Sequence, residues 1–211
     1  MARPLTTFLA AIAIGAIGAT GVAGADQLTL TLDPTRTTVS FTLGATLHTV
    51  HGGAPVTRGV IVFDPAGGDA SGEVVVDASR AETGNTKRDR EMHESVLVSA
   101  RYPTVVLRPT RVEGRLPEAG TATLTVHGTI ELLGSRHEIA APVEVTANEA
   151  TVAVRAEFEL PYVAWGLEDP SKFLLKVDHF VTVAVAGAGT LSAGPGSAGK
   201  TAPSAQDQPQ P

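Results

Sequence analysis

The sequence predicts an all-β protein, an extended antiparallel barrel of eight or nine strands with a short helix over one end. Three observations carry this reading. Apolar residues recur with a period of two over most of the chain, the pattern of half-buried strands. Two of the alternating runs are about twice the usual strand length of five or six residues, as the walls of a tall barrel require. The composition is 43% hydrophobic but only 4% aromatic, so Val, Ala, Leu and Thr carry the interior, a β-favouring mixture.

The first 25 residues read as an export signal. Arg3 is the only basic residue there, residues 5–17 are apolar, and Ala23-Gly24-Ala25 fits the small-x-small cleavage rule before Asp26. An uncleaved anchor is the alternative, but the segment is rich in Ala and Gly and weakly hydrophobic. No membrane span is therefore expected after cleavage, and the location is periplasmic or secreted.

Strand-like runs then follow near 27–33, 37–48, 57–63, 72–79, 104–112, 121–133, 136–147, 150–160 and 173–186. Val39, Phe41 and Leu43 share one face of the second run, and Val74, Val76 and Ala78 one face of the fourth. Ala122, Leu124 and Val126 set a phase that continues past Gly128 into Ile130 and Leu132. Gly128, inside so long a strand, predicts a bend or bulge at a barrel corner. Leu133-Gly134-Ser135-Arg136 predicts a two-residue hairpin with Gly first, of type II′. Val152, Val154, Ala156, Phe158 and Leu160 form the next face. Phe173, Leu175, Val177, His179, Val181, Val183 and Val185 form the last.

Residues 86–100 break the pattern with charged and apolar residues in helical spacing, and Asn85 or Thr86 would cap their N-terminus. Arg101-Tyr102-Pro103 ends the helix, because a residue before Pro is driven from the helical region. From 188 to 211 the chain is Gly, Ala, Ser, Pro and Gln with little apolar bulk, which predicts a disordered tail. The domain boundaries follow as 1–25, 26–187 and 188–211.

Several functional classes are disfavoured. The net charge is −6 without a basic stripe, so nucleic acid is not an expected partner. The chain has no cysteine, which removes disulfides, thiolate metal sites and a cysteine nucleophile. Gly194 to Thr201 spells GxxxxGK[ST], but three prolines and no helix-forming sequence follow it. The amides that would cradle a phosphate are thus not expected. His93-Glu94 lacks the second His of HExxH, and no G-x-S-x-G elbow presents Ser95 or Ser99. His48 and His51 lack a third ligand and read as solvent-facing. Arg88, Asp89 and Arg90 read as a solvated helix face or a structural ion pair. No catalytic residue, metal or cofactor is expected.

Thr83-Gly84-Asn85-Thr86-Lys87-Arg88-Asp89, Met92 and Tyr102-Pro103-Thr104-Val105-Val106-Leu107 resemble the YceI-like family. So do Leu32-Asp33-Pro34, Val39-Ser40-Phe41, Gly59-Val60-Ile61-Val62-Phe63 and the stretch from Thr125 to Leu132. The resemblance covers roughly 28–187. Where the family has Arg-Asp-x-His-Leu, this chain has Arg88-Asp89-Arg90-Glu91-Met92-His93. The resemblance implies a lipocalin-like exported barrel holding a long apolar molecule, a lipid or polyisoprenoid, as its small-molecule partner.

The expected cavity-lining residues are Val39, Phe41, Leu43, Val105, Leu107, Leu124, Val126, Val154, Phe158, Leu175, Val177 and His179. His179 falls on an apolar phase and is expected to point inward, as a core histidine or a polar contact for a ligand. Two other readings stand beside the carrier. A structural or stress-related envelope domain would have a filled interior. An enzyme on an apolar substrate would need a second polar group converging on His179. The oligomeric state, a dimer included, is left open.

Overall fold

A computed structural model of the protein describes residues 27–171 and 176–194. The expected export signal, residues 172–175 and the phosphate-loop-like sequence after Gly194 lie outside them. The strands are β1 (Leu28–Leu32), β2 (Thr38–Leu43), β3 (Val50–Phe63), β4 (Gly68–Asp77) and β5 (Thr104–Glu113), followed by β6 (Ala119–Leu132), β7 (Ser135–Asn148), β8 (Thr151–Leu160) and β9 (Val181–Ala193). All pairings are antiparallel, and β3–β4 and β2–β9 contacts close β2 through β9 into an eight-stranded barrel. β1 is the extra strand. It sits between the far halves of β3 and β9, with Leu30 opposite both Ile61 and Leu191.

Apart from 33–37, which joins β1 to β2 midway along the wall, the register assigns each connection to one of two ends. The segments 44–49, 78–103 and 133–134, with 161–171 and 176–180, lie at one end, which we call the mouth. The turns 64–67, 114–118 and 149–150 lie at the other. Helix α1 (Thr86–Glu91) spans the mouth and continues into a wider π-helical turn over Met92–Val96. The Asn85 side chain caps α1 by accepting from the Arg88 amide at 3.1 Å, one of the two expected cap positions.

The long strands follow the alternation, because a one-residue slip would turn every apolar side chain outward. At the far end, Leu30, Leu32, Phe63, Val112, Leu124, Val145 and Val152 close into a core. A second cluster of Ile130, Leu132, Leu160, Tyr162 and Leu167 packs beneath the helix. On the outer wall, charges alternate in sign across five strands. Arg58, Glu73, Arg108, Glu131 and Arg136 form a chain of ion pairs 2.8–3.8 Å long. Each exposed pair contributes little alone, about 0–1 kcal/mol.

Four expectations need correction. The stretch His51-Gly52-Gly53 belongs to β3, which therefore begins at Val50 rather than at 57. The Phe41 ring explains the glycine, since a Cβ on Gly52 would lie 2.2 Å from Phe41 Cζ. The last strand runs from Val181 to Ala193 instead of 173–186, so the tail does not start at 188. Its small residues are tolerated because β1 packs against it; a Cβ at Gly189 would meet the Thr31 carbonyl at 2.4 Å. The β6–β7 turn consists of Leu133 and Gly134, both with positive φ, 50° and 77°. That is a type I′ turn, which matches strand twist as well as II′ does. The irregularity near Gly128 lies across from it, where the β5 register shifts between Pro109 and Arg111.

Candidate ligand-binding cavity

The barrel is hollow. A cavity of about 630 Å³ runs along its axis between the two clusters, within the roughly 300–1,000 Å³ of small-molecule sites. Among the described residues no large apolar side chain is completely shielded, because the inward faces border open space rather than one another. The interior walls are built by the odd or even members of each alternation, so the same period that makes the strands makes the cavity apolar.

Every expected lining residue within the described segments borders this cavity, with one exception. Val39, Phe41 and Leu43 stand on β2, Val105 and Leu107 on β5, and Leu124 and Val126 on β6. Val154 and Phe158 stand on β8, and Val177 precedes β9. Leu175 lies outside the described residues. His179 is the exception.

His179 does not face the interior. Its side chain is 60% exposed, and Nε2 lies 3.1 Å from Asp169 Oδ2. The alternation from Val181 cannot be extended backwards, because residues 178–180 are not strand and the phase is lost there. Asp169 also accepts from the Ser171 amide. Hydrogen bonding from Ser171, then from His179, holds its carboxyl below the usual range. The pair clasps a surface loop.

Polar groups bordering the cavity gather at the mouth. His48, Thr83, Asn85, Lys87, Arg88 and Glu91 come from the 44–49 loop and from the start of the helix. Arg88 is committed to the loop before it, with Nε donating to Thr83 Oγ1 at 2.8 Å and Nη2 to the Thr83 carbonyl at 3.0 Å. Asp89 accepts from both the hydroxyl and the amide of Thr83. The expected Arg–Asp pairing is thus a cradle for Thr83. His93 bridges the Ala81 carbonyl and Ser99 Oγ, each at 2.9 Å, and ties the π-turn to the segment that leads from β4 into the helix. Ser99 is buried, and His93 is occupied on both nitrogens, so this contact is a structural latch. His51 hydrogen-bonds Thr42. Among the described residues no three His, Asp or Glu side chains converge as metal ligands would.

The hydroxyl bond from Thr83, aided by its amide and by Arg88, holds the Asp89 carboxyl below its ordinary value. A depressed folded-state pKa stabilises above the unfolded value and is lost as pH falls through the folded one. Asp89→Asn is therefore expected to lower the melting temperature at pH 7 and to have a smaller effect below about pH 4. Equal losses at both pH values would contradict this.

The residue that alternation left unnoticed is Tyr162. It is 4% exposed, borders the cavity and packs under the helix. Its number continues the inward phase 152–160 past Pro161, which was the available signal. Burial, then the charges of Asp169 and Asp178, pushes its pKa up to about 12.

The family model for the YceI-like domain matches residues 30–188. The chain belongs to the YceI-like domain family. This YceI-like barrel is similar to the structure of a polyisoprenoid binding domain from Saccharophagus degradans implicated in plant cell wall breakdown. The identity is 18% and the TM-score 0.60, over 76% of this chain and 97% of that one. It is also similar to Burkholderia cenocepacia BcnA, at 15% identity and a TM-score of 0.59, over 74% and 98% of the two chains. A Campylobacter jejuni YCEI protein aligns at 13% identity and a TM-score of 0.50, over 66% and 80%. At these identities the likeness shows a shared fold. No curated protein matches the chain by sequence.

Proposed function

We propose that this protein is an exported carrier that holds one long apolar molecule, a lipid or polyisoprenoid, inside its barrel, and that it has no catalytic activity. The observation that carries the reading is the apolar cavity of about 630 Å³ inside the barrel, lined by residues of both clusters. Each buried methylene contributes about 0.8 kcal/mol, so ten or so suffice for micromolar binding after the costs of association. A solved neighbour described as a polyisoprenoid binding domain supports the same ligand class. Export rests on the apolar segment 5–17 and the Ala23-Gly24-Ala25 site. The cavity's polar groups at the mouth favour a chain entering tail first, its more polar end beside the helix.

The filled-barrel reading, a structural domain with no small ligand, loses its premise because the interior is open. The enzymatic reading rested on an inward His179, and that side chain lies on the outer surface with Asp169.

Native mass spectrometry of the protein purified from its own envelope, followed by organic extraction, tests the proposal. A hydrophobic molecule at one per chain is expected. A clean protein mass, with no uptake when lipids are offered, would overturn it.

A further inference from the structure

We propose that Tyr162 is a specificity residue, donating a hydrogen bond to an uncharged carbonyl or ether oxygen near the helix end of the cargo. The inference rests on the apolar-carrier reading above and narrows it, from a hydrocarbon chain to an oxygenated one.

Tyr162 is 4% exposed and borders the cavity, yet its hydroxyl is buried and finds no hydrogen-bond partner among the described residues. A buried phenol ordinarily has one. Leaving it bare costs free energy that a Phe at the same position would not. The other buried members of its cluster, Ile130, Leu132, Leu160 and Leu167, are aliphatic and offer the oxygen no partner. A polar atom kept in such a place has its use in a complementary atom from outside the chain.

The chemistry of that atom follows from the surroundings. The phenol keeps its proton throughout the physiological range, pushed up to about 12 by burial and by Asp169 and Asp178. It is thus a standing donor, and its complement is an acceptor. A carboxylate or phosphate would bring a further negative charge into the field of Asp169 and Asp178, which already acts on the phenol. An uncharged oxygen meets no such repulsion. The other polar residues bordering the cavity, His48, Thr83, Asn85, Lys87, Arg88 and Glu91, come from the 44–49 loop and from the segment that enters and forms α1.

The full-length protein would be titrated with a long-chain methyl ketone and with the alkane of equal chain length, each displacing a fluorescent apolar probe. A ketone only accepts, which isolates the donor role. In Tyr162→Phe the ketone-to-alkane affinity ratio is expected to fall about tenfold relative to wild type, the alkane affinity holding or rising slightly. The carbonyl infrared band of the bound ketone should lie below its position in alkane solvent in wild type and return to it in the variant. An unchanged ratio with both ligands bound overturns the inference and leaves the carrier reading standing. A carbonyl band unshifted in wild type does the same, even if the variant fails to fold. Failure of wild type to take up either ligand overturns both.

Discussion

Val126→Trp combined with Val154→Trp is expected to reduce uptake of a long apolar ligand at least a hundredfold, with the barrel still folded. Both side chains border the cavity from β6 and β8. In a close-packed core such enlargement forces side chains off their rotamers and costs about 1–3 kcal/mol. Here the indole enters open space. It adds apolar burial at roughly 25 cal/mol per Å² and leaves the strands where they are. Ligand binding and stability should therefore move in opposite directions, the first lost and the second unchanged or raised. Probe displacement and a denaturant titration on the same preparation would show this. Full binding in the variant would mean that the cargo sits elsewhere. A collapse in stability would mean that the interior is not open.

Gly128→Val is expected to destabilise the fold by about 3 kcal/mol, at the upper end of what overpacking costs. A Cβ at Gly128 would lie 2.4 Å from the Arg108 carbonyl and 2.8 Å from Pro109 Cα. Both are backbone atoms of the neighbouring strand, and neither can rotate away. Relief would require β5 to separate from β6 at the place where its own register already shifts. Gly120→Ala is the control. Its φ of +97° carries backbone strain, but a Cβ there meets nothing within 4 Å. It should cost only about 1 kcal/mol. Urea unfolding of the two variants separates the effects, and equal losses would refute the close-crossing argument.

Much of this fold was legible because one physical rule operates over most of its length. In a barrel each strand has one face towards the interior, so alternation yields the strand, the register and the wall at once. That is why the lining positions from Val39 to Phe158 could be read from the sequence. The rule fails where its premise fails. His179 was assigned to the interior by extending the phase of Val181 backwards, across residues that are not strand. The His51-Gly52-Gly53 stretch looks like a loop by composition, yet it pairs with β2 because the Phe41 ring occupies the space a side chain would take. The small residues past Gly187 read as tail, since nothing local announces that β1 will lie against them. Tyr162 was missed for the opposite reason: Pro161 marks a strand end, but the inward phase persists one residue beyond it. In each case the deciding partner is distant in sequence, and no local pattern records it.

The first and last described residues lie side by side, with the Gly194 amide donating to the Gln27 carbonyl at 2.7 Å. They sit on the end of the barrel away from α1, beside the turns rather than the rim. A tag, a surface linkage or a fused domain attached at either terminus therefore hangs from the closed base of the cup and leaves its opening unobstructed. The same adjacency makes the protein a natural subject for circular permutation, since a short linker would span the gap. New termini could then be cut in the exposed 149–150 turn, at that same base.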